Sequence, residues 1–292
     1  MLFRGYWMPL QRHRAAPALA LLLSALLGAC SSHLGEPRSP APAPIQSLYT
    51  VDRDLIYSPA GWPESLKADL YRPDTAAPRP AVLLIHGGGW EGPDRREQMA
   101  SIARRLAARG YVVMNATYRY APQYLYPAPV DDLREALKWL RAEAGRFGVQ
   151  SDHIGAFGYS AGAHLAALLG SDPATGLRAV VAGGTPTDLR KYSGGKLVPQ
   201  FLGGRREQIP ERFAEASPIT HVKPGDPPVF LYHGGLDTLV PVDHAEDYQR
   251  ALQAAGVPNE LFLLRGRGHI SAFLSDGAAV DAALGFLDRH LR

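Results

Sequence analysis

The stretch "FGYSAGAHLA", residues 157–166, sets one serine between two glycines, as Gly158-Tyr159-Ser160-Ala161-Gly162. In a chain of 292 residues with 30 glycines, a bare G-x-S-x-G match carries little weight. Its setting carries more. "HIGAFGYS" before it reads as an apolar strand, and a helix-like run opens near Ala161. Glycines on both sides of the serine let the backbone turn sharply from strand to helix without a clashing Cβ. Ser160 Oγ is then left projecting at the C-terminal end of the strand, and the helix N-terminus behind it favours developing negative charge.

Working outward, the flanking segments repeat one grammar. "AVLLIHGG" (81–88) is a continuous apolar run ending in glycines, the mark of a strand buried on both faces. Met99, Ile102, Ala103 and Leu106 follow at helical spacing, Gly110 stops them, and "YVVMNATY" supplies the next strand. Leu133, Ala136, Leu137 and Leu140 make a second amphipathic face. "RAVVAGG", "PVFLYHGG" and "ELFLLRG" are further strands, and "AVDAALGFLDRHL" is the last helix. This alternation predicts an α/β fold, a mainly parallel central sheet with helices on both faces. Two segments depart from it. "LYTVDRDLIY" and "LKADLYRP" alternate apolar and polar residues as antiparallel strands do. Residues 185–222, rich in Gly, Pro and charge, predict a small cap or long loop over the site.

A serine hydroxyl is a poor nucleophile at neutral pH, so a base must take its proton and a carboxylate should orient that base. On this kind of sheet the partners follow in the order Ser, Asp or Glu, His, each on a loop after a strand. "PVFLYHGGLDTLVP" offers Asp237 and "ELFLLRGRGHIS" offers His269. Asp243 is the competing acid, but it precedes a helical run and reads as its N-cap. Asp226 lies before its strand, at the wrong end of the sheet. His233 falls in or at the edge of a strand, His290 in the last helix, and His164 four residues along the helix from Ser160, where a structural role fits better. Acyl transfer also needs donors for an oxyanion, and "HGGGW" (86–90) follows a strand where glycine alone lets the main chain approach a carbonyl. It has neither the spacing nor the lysine of a phosphate-binding loop.

With HGGGW, GYSAG and the ordered Asp237 and His269, the chain from about residue 66 to its end resembles the α/β-hydrolase superfamily. Within it, the likeness is to the esterase branch of hormone-sensitive lipase and bacterial feruloyl and acetylxylan esterases. The resemblance implies a triad of Ser160, Asp237 and His269, an oxyanion hole from the N–H groups of Gly88, Gly89 and Ala161, and a bracing role for His86. The implied activity is serine carboxylic ester hydrolysis of short-chain or aryl esters through an acyl-enzyme. "HGG-x-W" is equally similar to kynurenine formamidases, so an arylformamidase or a peptidase on the same fold stays open, as does a catalytically inactive surface-binding domain. Trp90 and Tyr159 are candidate substrate contacts.

The N-terminus carries a different message. Arg12, His13 and Arg14 lead an apolar run, 15–29, too short to span a bilayer comfortably. It ends in "LLGAC", which resembles the bacterial lipoprotein cleavage box with Cys30, the single cysteine, as the lipidated residue. Residues 1–29 are therefore read as a signal peptide, 30–47 as a Ser/Pro/Ala-rich tether holding the domain off a membrane, and 48–292 as the folded domain. The expected location is the bacterial cell envelope, lipid-anchored to a membrane. The net charge of +3 equals the three arginines of the first 29 residues; without them, 28 Lys+Arg face 28 Asp+Glu. That balance gives no electrostatic case for nucleic acid. No metal constellation stands out, serine hydrolysis needs no cofactor, and the expected partners are a small-molecule ester and the membrane. Oligomeric state cannot be read from the sequence.

Overall fold

The computed structural model describes residues 31–35 and 41–292; the signal-peptide and Cys30 expectations lie outside the described residues. The strands are β1 (Ser31–Leu34), β2 (Tyr49–Ile56), β3 (Lys67–Pro73), β4 (Arg79–Ile85), β5 (Val112–Ala116), β6 (Val149–Tyr159), β7 (Ala179–Gly183), β8 (Val229–Gly234) and β9 (Asn259–Leu264). They form one sheet in the order β1-β9-β8-β7-β6-β4-β5-β3-β2. From β5 to β9 every neighbouring pair is parallel, while β2, β3 and β1 join antiparallel at the edges. The helices are α1 (Ala100–Ala108), α2 (Ala128–Ala142), α3 (Ala144–Phe147), α4 (Ala161–Gly170), α5 (Leu197–Leu202), α6 (Pro210–Glu215), α7 (Asp243–Ala254), α8 (His269–Leu274) and α9 (Gly277–Leu291). This is the α/β-hydrolase fold.

Burial follows the period of each segment. The central strands are apolar on both faces because helices cover both: α2, α4 and α7 pack one side and α1 and α9 the other. All ten residues of α4 are buried, which is why it is apolar all round rather than on one stripe. Parallel strands place their C-terminal ends along one edge, and β4, β6, β8 and β9 therefore deliver HGGGW, Ser160, Asp237 and His269 to the same rim.

One expectation changes here and one holds. The sequence predicts an extended tether over 30–47, but Ser31–Leu34 is the outermost strand of the sheet, paired antiparallel with β9 from Ser31↔Leu264 to Leu34↔Leu261. Pairing gives this short polar segment what its composition lacks. It covers the open edge of β9, the His33 ring meets Phe230 and Phe262, and His33 Nε2 lies 2.8 Å from Glu260. Ser47 likewise donates its N–H to Ala108 O at 2.7 Å, so residues before 48 belong to the fold. Residues 185–222 do form the small cap, built from α5, α6 and two 3-10 turns, and anchored by Leu189, Phe201, Leu202 and Phe213, all buried.

Candidate active site

Ser160 sits at the junction of β6 and α4 with φ +54° and ψ −122°, a region that L-residues rarely occupy. Packing holds it there. Its N–H donates to Gly183 O at 2.7 Å, and its C=O accepts from His164 N–H at 3.0 Å. The flanking glycines are required by close approach: a Cβ at Gly158 would lie 2.3 Å from Gly162 backbone atoms, and one at Gly162 would lie 2.2 Å from Ile85 O.

Three side chains from three strand ends form one hydrogen-bonded line. Ser160 Oγ is 2.9 Å from His269 Nε2, and His269 Nδ1 is 2.6 Å from Asp237 Oδ2. With Nδ1–H donating to the carboxylate, Nε2 is free to accept the serine proton. Asp237 Oδ1 accepts the N–H groups of Leu239 and Val240 at 2.9 and 2.8 Å. Burial pushes the Asp237 carboxyl up, but hydrogen bonds from His233, His269 and the Val240 N–H outweigh it and hold the group well below the usual carboxylate range. The acid is thus a fixed anion facing the base.

The glycine loop lies directly against the nucleophile, since a Cβ at Gly87 would come within 3.2 Å of Ser160 Cβ. Gly88 and Gly89 take φ +109° and +66°, backbone conformations that L side chains rarely adopt. The N–H groups of Gly88, Gly89 and Ala161 carry no hydrogen bond to another described residue, so all three remain for an oxyanion. His86 is fully buried and braces the loop. Its Nδ1–H donates to Gly87 O at 2.7 Å, Nε2 accepts from Tyr120 OH at 3.2 Å, and the ring stacks on Tyr118. Burial lowers its pKa to about 4, so the ring stays neutral and keeps this tautomer.

A cavity of about 790 Å³ opens beside Ser160, walled by Trp90, Tyr192, Leu197, Val198, Leu239 and Val240, among others. Its size suits a small molecule. Trp90 takes a positive φ of 61°, stacks on Phe201 of the cap at 4.5 Å, and donates its indole N–H to His164 Nδ1 at 3.2 Å. It reaches the cavity as a mostly buried wall. Tyr159 is placed differently from expectation: its ring lies behind the triad against His269 and Phe273, and its OH donates to His269 O at 2.6 Å. It positions the base and does not line the cavity.

The rival residues are accounted for. Asp243 opens α7 and pairs with Lys191 at 2.8 Å, while Asp226 pairs with Lys223 at 2.7 Å. His164 donates Nε2–H to Ala216 O at 2.7 Å, tying α4 to the cap. Sequence reasoning missed one neighbour of the acid: His233 Nε2 donates to Val240 O at 2.8 Å and lies 3.4 Å from Asp237 Oδ2. The spacing His233 to Asp237 across a strand end was its only visible signal. Among the described residues no group of three or more His, Cys, Asp or Glu could hold a metal ion.

Comparison with known proteins fits this geometry. A family model described as BD-FAE matches residues 68–252. The esterase LipC of Mycobacterium tuberculosis is 31% identical over 69% of this chain and 55% of its own length. The chain spans about half the length of the curated relatives it matches. A truncated carbohydrate esterase from gut microbiota superposes with a TM-score of 0.77 at 21% identity, covering 85% of this chain and 98% of that one. A propionate-bound esterase from the planctomycete Thermogutta terrifontis superposes with a TM-score of 0.67 at 25% identity, covering 83% and 93%.

Proposed function

The chain belongs to the BD-FAE family, and from that premise we propose that it is a serine carboxylic ester hydrolase acting on short-chain or aryl esters of small molecules. One observation carries the reading: an unbroken line of hydrogen bonds from Asp237 through His269 to Ser160, ending beside unengaged N–H groups. In the first half-reaction Ser160 Oγ bonds to the ester carbonyl carbon while His269 Nε2 takes the hydroxyl proton. The N–H groups of Gly88, Gly89 and Ala161 receive the charge on the carbonyl oxygen. The C–O bond to the alcohol then breaks, and His269 returns the proton to the leaving oxygen. Water, deprotonated by the same imidazole, releases the acid from Ser160.

The chain's place is the cell envelope, held to a membrane by lipid on Cys30; the charged lead, the short apolar run and "LLGAC" support this. The test is hydrolysis of p-nitrophenyl acetate, butyrate and octanoate and of an aryl formamide, with Ser160→Ala in parallel. Short-ester turnover that falls in the variant by orders of magnitude, about 10⁶-fold at most, is the expected result. Turnover of the formamide alone would move the reading to an amidase, and equal rates in the variant would remove Ser160 from the mechanism.

A further inference from the structure

The register of β1 decides which way a membrane-anchored chain faces. Ser31 pairs with Leu264, the last residue of β9, so the chain enters the fold at the C-terminal edge of the parallel strands. That is the edge carrying Ser160, Asp237 and His269. Cys30 precedes Ser31 by a single peptide link, about 3.8 Å between Cα atoms, which leaves no slack between a lipid on Cys30 and the sheet.

This same edge is apolar where a soluble surface would be polar. The described residues include seven large apolar side chains that stand exposed, and four of them flank the triad: Leu236 (64%), Leu239 (51%), Ile270 (64%) and Leu274 (75%). Leu236 and Leu239 bracket Asp237 after β8. Ile270 and Leu274 are four residues apart on α8, hence on one helical face. The two loops are joined, because Leu236 N–H donates to Arg267 O at 2.9 Å. Between Ser31 and His269 stand Arg265 and Arg267, both exposed, and no Asp or Glu occurs from Leu261 to Ser275. Arg265 also touches the entering strand, with Nε 3.3 Å from Ser32 Oγ.

Resting on the membrane reading above, we infer that the mouth of the active site is the face that docks on the bilayer. Leu236, Leu239, Ile270 and Leu274 enter the headgroup region, and Arg265 and Arg267 meet anionic lipid headgroups. The cavity then opens toward esters carried at the membrane surface, and the opposite end of the sheet points to solvent.

The full chain, recovered with its native lipid, is reconstituted in vesicles of phosphatidylethanolamine with a minority of phosphatidylglycerol. A polarity-sensitive fluorophore is placed at Leu274→Cys or, as the distal control between β3 and β4, at Ala76→Cys. Brominated lipids should quench the probe at residue 274 and leave the one at 76 unchanged. Chain that does not float with vesicles overturns the anchor and the orientation together; chain that floats with the probe at 274 unquenched overturns the orientation alone. Ile270→Asp with Leu274→Asp should lower turnover of the acetyl ester of a long-chain alcohol, dissolved in those vesicles, by about tenfold while soluble p-nitrophenyl acetate turnover stays within about twofold. An equal loss on both substrates would also count against docking.

Discussion

At Ser160 the demands of reactivity and of backbone comfort conflict. A φ of +54° with ψ −122° costs an L-residue on the order of 1–3 kcal/mol, and the surrounding hydrogen bonds and glycine contacts impose it. Both Ser160→Ala and Ser160→Gly should therefore be inactive, but they should differ in stability. Alanine keeps the strain, whereas glycine relieves it at an unfolded-state entropy cost of about 0.5–1 kcal/mol, leaving Ser160→Gly the more stable by about 1 kcal/mol. Urea unfolding of the two variants measures this, and a glycine variant less stable than the alanine one would contradict the strain argument. Legibility at this scale divides on the same line. Ser160, Asp237 and His269 could be read from the sequence because chemistry dictates their types and chain order. Tyr159 and His233 could not, because their roles depend on which side chain meets which carbonyl or carboxylate across a loop, through the contacts Tyr159 OH to His269 O and His233 Nε2 to Asp237.

Elements were legible where burial imposes a period. β4, β6, β7 and β8 announce themselves as apolar runs, and α1 and α2 by their stripes. β1 and the cap helices carry no such signal: "SSHL" is ordered by the exposed edge of β9, and α5 and α6 by a few aromatic anchors. The start of α9 exposes a different kind of hidden constraint. Asp276 stands at the N-cap position of that helix with its side chain mostly buried, and burial raises its pKa to about 6, with Arg105 at 3.8 Å offsetting part of the effect. The folded state therefore holds this proton up to about pH 6, while the unfolded chain releases it near 3.8. Stability from this carboxyl is present at about pH 4 and is lost as the pH rises to 6. Asp276→Asn removes that loss, so it should be more stable than wild type by about 3 kcal/mol at pH 7 and nearly indistinguishable at pH 4. An advantage that persists unchanged to pH 4 would assign the gain to some other cause.

For the whole molecule, the same linkage runs with the opposite sign through three buried histidines on different segments of the chain. His86 braces the glycine loop, His164 ties α4 to the cap, and His244 accepts the N–H groups of Thr187 and Asp188 at 3.2 and 3.3 Å. Burial is the first cause in each case and lowers all three to about 4. Each ring also accepts a hydrogen bond that requires it neutral, His86 from Tyr120 OH, His164 from the Trp90 indole N–H and His244 from the Thr187 N–H. Below about pH 6.5 the unfolded chain gains protons that the folded one refuses, so stability is lost as the pH falls from 6.5 toward 4. The loss approaches about 3 kcal/mol per ring, against a gain of about 3 kcal/mol from Asp276 over part of the same range. The histidines win by number, and their net effect of several kcal/mol is comparable to the roughly 5–15 kcal/mol that holds a domain folded. The urea midpoint should thus fall steeply between about pH 6 and pH 4.5, and the cap and glycine loop should fail with the core, because these rings connect them. A midpoint at pH 5 equal to that at pH 7 would mean the three imidazoles accept protons in place, and the site would then lose its bracing without unfolding.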